Sequence, residues 1–269
     1  MKSCLLILSL LLFAGCVISV GQTKAGPSPQ QIKPTPTENP LAKALQEGNQ
    51  AVTAGRYDDA IAAYDRGIAL DPSQYVLFLN KAAALRLRGT QTYNQSLGPN
   101  RDQKTKDAIR RDWLAAVESA GKAMNLVEAS SSSTPPADLY QARLVTLQEK
   151  ALDLSLLGRI DEARLPEAAG AYHAAAELAK DPVKKNQLRN NEAWILFQAL
   201  DFGKALSVYK NVLETEPENL DALYGATMAA VSSEDWKSCN AYGARFLKVA
   251  PAADRRRAEI KETLDAIPK

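Results

Sequence analysis

The stretch GRYDDAIAAYDRGIALDP, Gly55 to Pro72, opens on a turn glycine, places acids at a helix start and ends on a proline. Within it Ala60, Tyr64 and Gly67 fall at i, i+4 and i+7, so they share one face of a short helix. A face of small residues around a single ring suits close approach by another helix more than a thick aliphatic core. The pattern returns. DFGKALSVYKNVLETEP (Asp201 to Pro217) and DWKSCNAYGARFLKVAP (Asp235 to Pro251) keep an aromatic, a small residue, a tyrosine or glycine and a closing proline in register. Phe202 and Trp236, Ala205 and Cys239, and Pro217 and Pro251 are each 34 residues apart. GRIDEA (Gly158 to Ala163) echoes GRYDDA, and Gly89 follows Gly55 by the same 34 residues. Recurrence at one fixed period identifies a chain built from repeated units, each too small to bury a core alone.

These residues resemble the tetratricopeptide repeat (TPR), a helix–turn–helix unit of that period. The resemblance implies an all-α fold: a TPR-type α-solenoid of about five repeats over residues 41–251, with a capping helix at 252–269. Repeat 1 is Leu41 to Gln74, repeat 2 begins at Tyr75, and repeat 3 has its first helix before Gly158. Repeat 4 is Asn186 to Asn219 and repeat 5 begins at Leu220. Residues 90–111 read as an insertion in repeat 2. Thr90 to Arg101 form its loop, with a turn at Gly98-Pro99, and Asp102 onward extends the second helix. Pro166 interrupts the second helix of repeat 3, so Ala163 or Ala168 holds its small-residue position, and SSSSTPP at 130–136 is a linker. After Pro251, Ile260, Leu264 and Ile267 line one side of an otherwise charged segment, as a solenoid cap requires.

The N-terminus reads as an address. One lysine, an apolar run from Leu5 to Ala14 and small residues make 1–21 a secretory signal, too short for a membrane span. Its end, Phe13-Ala14-Gly15-Cys16, resembles the lipobox of bacterial lipoproteins, which implies lipidation of Cys16 and, with Val17 following, an outer-membrane lipoprotein facing the periplasm. Cleavage after Gly21 is the competing reading and gives a soluble periplasmic or secreted protein. Residues 22–40 carry prolines at 27, 29, 34, 36 and 40 and read as a disordered, extended tether. Of the three cysteines, Cys4 leaves with the signal and Cys16 carries lipid. Cys239, at a small-residue position, is read as buried, and no internal disulfide is expected.

The function classes narrow by what the residues can do. Net charge is +2, and the clusters Arg110-Arg111, Lys184-Lys185 and Arg255-Arg256-Arg257 sit among acids, so no basic stripe for nucleic acid is expected. The acid pairs Asp58-Asp59 and Asp161-Glu162 fall in the first turns of second helices, where they complement the helix dipole. There is no nucleophile elbow, phosphate loop or metal-spaced motif, and His173 is the sole histidine. Neither catalysis nor a cofactor nor a metal is expected.

A groove remains. In TPR proteins the first helices line a concave face that receives peptides. The resemblance places Asn49 and Val52 there from repeat 1, and Leu79, Asn80, Ala83 and Arg86 from repeat 2. Gln148, Leu152 and Ser155 follow from repeat 3, then Asn190, Asn191, Trp194 and Phe197 from repeat 4, and Tyr224 and Met228 from repeat 5. Asn49 and Asn80 match the asparagines of the TPR clamp for chaperone C-termini, but Leu45, Val145 and Glu149 stand where its basic residues belong. The aromatic and methionine residues either anchor a partner or pack repeat 4 on repeat 5. The expectation is a non-catalytic adaptor for envelope proteins or peptides, held to the membrane by a lipid. The alternative is a module that binds an envelope glycan or small ligand on the aromatic cluster.

Overall fold

The computed structural model describes residues 39–96, 102–130 and 136–268. The signal, Cys16, the tether through residue 38, the Gly98-Pro99 turn and linker residues 131–135 lie outside the described residues. Among the described residues five helical hairpins follow one another: α1 (Pro40–Thr53) with α2 (Tyr57–Leu70), α3 (Tyr75–Gln95) with α4 (Gln103–Ala129), and α5 (Pro136–Leu157) with α6 (Leu165–Leu178). Then come α7 (Pro182–Gln198) with α8 (Phe202–Thr215) and α9 (Leu220–Ser232) with α10 (Trp236–Val249), and α11 (Arg256–Ala266) closes the row. No strand occurs among the described residues. Each helix packs on its neighbour in sequence, and α1 also touches α3, α3 touches α5, and α7 touches α9. The first helices α1, α3 and α5 therefore lie side by side, as do α7 and α9.

Local chemistry sets the helix limits. Asn39, Asp102, Asp181, Asp201, Asn219 and Asp235 each cap a helix by accepting a backbone N–H, Thr105 N–H to Asp102 at 2.8 Å for example. Prolines sit in the first turns of α1, α6 and α7, where their missing N–H costs nothing. Three hairpin turns need a left-handed residue just after the first helix: Gly55 (φ 71°), Leu200 (φ 62°) and Glu234 (φ 58°).

The small residues stand where rings and branched chains press closest. Ala60, Ala205 and Cys239 are fully buried. The Tyr64 ring of α2 lies directly over Gly48 of α1, and the Tyr209 ring of α8 over Gly225 of α9, the next hairpin. Any Cβ at either glycine would collide with the ring. Leu77 of α3 fills the space beside Gly67, and Leu264 of α11 that beside Gly243, so the cap packs as one more first helix would.

Two segments differ from the sequence reading. Thr90 to Gln95 are helical, continuing α3, because their overhang has something to pack on. Tyr93 lies 5.6 Å from Trp113 of the lengthened α4, and Ile109 and Leu157 complete that buried cluster. In repeat 3 the second helix starts at Leu165, so Pro166 falls in its first turn and interrupts nothing. Ala168 is consequently the buried small residue there, while Ala163 is exposed.

Three substitutions test this packing by thermal or denaturant unfolding. Gly225→Ala is expected to destabilise by about 2 kcal/mol or more, since the rigid Tyr209 ring must move. Gly170→Ala, in α6 with open space around it, is expected to stabilise by about 0.5–1 kcal/mol. Leu200→Gly is expected to gain about 1 kcal/mol by removing a left-handed leucine from the turn.

Candidate functional site

Along the face of first helices, the polar residues are tied to one another. In repeats 1 and 2, Asn49 Oδ1 accepts the Tyr64 hydroxyl (2.8 Å) and Asn80 Nδ2 (3.1 Å). The two amides thus bridge α1 and α3 and anchor a tyrosine of α2. Val52 packs against the first core, and Leu79 is itself core at 5 % exposure, leaving Ala83 half-buried between the asparagines and repeat 3.

The middle of the face is ionic. Arg86 of α3 is buried, and its Nη1 donates to Glu149 Oε2 (2.6 Å) and Asp153 Oδ1 (3.0 Å), both on α5. Arg86 is therefore a strut between repeats, with its cation already matched. Burial alone would lower the Arg86 pKa, but Asp153 and Glu149 outweigh it and raise it. Asp153 is wholly enclosed, and its Oδ2 has no hydrogen-bond partner. Burial pushes its carboxyl up to about 7 against the opposing pull of Arg86, and Glu149 adds to the rise. Two acids share one base here, so a proton on Asp153 leaves the cluster neutral. Tyr172 of α6 is also buried nearby, its hydroxyl pushed up to about 12 mainly by desolvation. Gln148, Leu152 and Ser155 are half-buried on α5, and Ser155 Oγ donates to the Leu152 carbonyl (2.8 Å).

Repeats 4 and 5 carry the apolar part. Asn190 Nδ2 donates to Asn219 Oδ1 (3.1 Å), the same oxygen that caps α9, while Asn190 Oδ1 is buried without a partner. Asn191 is half-buried beside it. Trp194 is 41 % exposed and stacks on Phe197, centroids 5.6 Å apart and planes 11° from parallel. Phe202 of α8 braces Phe197 from behind at 5.2 Å. Tyr224 and Met228 are more committed. The Tyr224 hydroxyl donates to Glu259 of α11 (2.8 Å), its ring meets Phe246 and Arg256, and Met228 packs on the C-terminal core. Of the four residues in the aromatic and methionine group, Trp194 is the one left largely open.

Other candidates resolve simply. His173 is half-exposed, with Nδ1 3.0 Å from Glu192 Oε1. Cys239 is buried and its thiol pKa is raised, chiefly by desolvation, which disfavours the reactive thiolate. Among the described residues no group of three or more His, Cys, Asp or Glu side chains could hold a metal ion, and no helix is long and apolar enough to cross a membrane. Sequence reasoning passed over Asp153. Its signal was an acid one turn after Glu149, on a helix facing the first-helix arginine of the preceding repeat.

No family model matches the chain. Over 92 residues, 34 % of its length, it is 30 % identical to an Hsp70-Hsp90 organizing protein from Triticum aestivum. Over 52 residues, 18 % of its length, it is 48 % identical to small glutamine-rich tetratricopeptide repeat-containing protein 2 from Mycosarcoma maydis. The chain spans only 15 % of the length of each of these relatives. Among solved structures, YrrB, a TPR protein with an unusual peptide-binding site, superposes with a TM-score of 0.50 at 16 % identity, covering 82 % of this chain and 97 % of that one. The fold is a TPR-type α-solenoid.

The buried acid has a measurable signature. Asp153 holds its proton more tightly folded (about 7) than at its ordinary value of 3.8, so its contribution to stability is full below about pH 4 and is lost as pH rises to about 7. Asp153→Asn is expected to flatten that part of the stability–pH curve and to melt no lower than wild type at pH 8, read by urea titrations across pH 4–8.

Proposed function

We propose that this chain is a non-catalytic adaptor of the bacterial cell envelope, holding an extended segment of a partner protein along the face made by α1, α3, α5, α7 and α9. The observation that carries the reading is the exposed Trp194 ring, stacked on a braced Phe197 among half-buried asparagines. A rigid aromatic anchor beside amide donors and acceptors suits a peptide, whose backbone supplies the matching polar groups. The partner segment is not an acidic C-terminus. Arg86 is consumed by Glu149 and Asp153, and Leu45 and Val145 bring no charge, so an incoming carboxylate would meet Glu149 without a free cation.

The reading extends to the N-terminus: lipidation at Cys16 holds the protein on the outer membrane facing the periplasm, and residues 22–38 stand the solenoid away from the surface. Glycan or small-ligand binding is the alternative, since a stacked indole also suits a sugar ring.

The test is capture from detergent-solubilised envelope, with a photo-crosslinker at Gln148 to map what lies in the face. A stoichiometric protein cross-linked at Gln148 and lost with Trp194→Ala is expected, with affinity lowered about tenfold or more and melting nearly unchanged. A collapse of melting in Trp194→Ala would make the ring core, and sugar-dependent thermal shifts without protein partners would favour the alternative.

A further inference from the structure

The Trp194 shelf is shaped for one kind of chain. Its top is an aromatic plane, 41 % exposed and held flat by Phe197 and Phe202. Leu200, two residues past the end of α7, is 72 % exposed in a backbone conformation that leucine disfavours. The indole N–H finds no acceptor among the described residues, so the shelf offers a donor next to apolar surface. Lys204 and Asp201, at the start of α8, are paired to each other at 2.7 Å. A flat, donor-bearing aromatic surface suits a ligand rich in carbonyl acceptors and stackable rings. Polyproline is such a ligand: its rings lie flat on aromatic planes, it lacks N–H donors, and its carbonyls point outward.

The chain carries that ligand itself. Residues 22–38, QTKAGPSPQQIKPTPTE, hold four prolines in two pairs and lead directly into Asn39 and α1. Taken at the polyproline rise of about 3.1 Å per residue, this stretch reaches about 50 Å. From α1 to α7 is three hairpins along the row, on the order of 30 Å at about 10 Å per step. The reach is sufficient with residues to spare. A tether of this length also holds its far end at an effective concentration near millimolar, so a contact too weak to survive between separate molecules would still be filled.

We infer that the Pro-rich segment 22–38 docks on the Trp194–Phe197 shelf of its own chain and is the occupant that a partner must displace. This rests on the reading of that face as a binding surface and adds what covers it when no partner is bound. One residue type thus serves as spacer and as plug.

The experiment compares the full chain in detergent with a version in which 22–38 is replaced by a glycine–serine stretch of equal length. Acrylamide quenching of tryptophan fluorescence is the readout. Trp113 is buried, and the Trp194→Phe variant subtracts it together with Trp236. The Trp194 component is expected to become about twofold more quenchable in the replaced chain, as expected when a stacked ligand leaves a half-open ring. A synthetic peptide of residues 22–38, added in excess, should restore protection, and protection in the natural chain should not change on dilution. Equal quenching in both chains, or failure of the peptide to protect, overturns the inference. Protection that fades on dilution overturns it in favour of a second copy as the source. A foreign segment cross-linked in the face of a chain whose quenching ignores the replacement would leave the groove reading standing and overturn this one alone.

Discussion

The fold depends on how near two helices can come. Tyr64 seated on Gly48 and Tyr209 seated on Gly225 require a bare Cα opposite each ring, and the first of these contacts joins the halves of one hairpin while the second joins one hairpin to the next. With the rings in place, Ala60, Ala205 and Cys239 are drawn into full burial, and van der Waals contact replaces the aliphatic thickness that an ordinary core would need. Apolar residues make up 46 % of the chain and aromatics only 6 %, a ratio that follows from this mode of packing. Alanine fills narrow gaps, and a few rings define them.

That closeness has a polar counterpart. Where α3 meets α5, an arginine and two acids replace the apolar contact, and the acid deepest in the joint keeps one oxygen without a partner. An ionic cluster with unequal charges is a poor source of stability. It ties Arg86, the cation among the first-helix positions named for the first three repeats, to two acids of the next hairpin. The asparagines at 49 and 80 retain the outline of an anion clamp while turned on each other and on Tyr64.

The hairpins were legible in the sequence because their signals are local. The 34-residue spacing, the helix-capping Asp and Asn residues and the closing prolines each depend on a few adjacent positions. What escaped depended on partners far along the chain. Thr90 to Gln95 carry loop-like residues, and only Tyr93 meeting Trp113, with Ile109 and Leu157, keeps them helical. Leu79 fits a groove register by counting, yet it is buried in the core. Arg86 reads as an exposed cation until Asp153, 67 residues away, is seen against it. The TPR resemblance put Trp194 and Phe197 on the first helix of repeat 4, whereas the brace from Phe202 and the fastening of Tyr224 to the last helix came only from the three-dimensional arrangement.

The row of hairpins also has a mechanical reading. Among the described residues the first hairpin packs on its successor, and each later hairpin packs on those on either side. A load drawn through Asn39 arrives at α1 and at no other helix. It can peel that hairpin while the cluster around Phe246 and Ile260 at the far end stays packed. Such a chain yields in modest successive steps, lengthening under tension instead of snapping as one body.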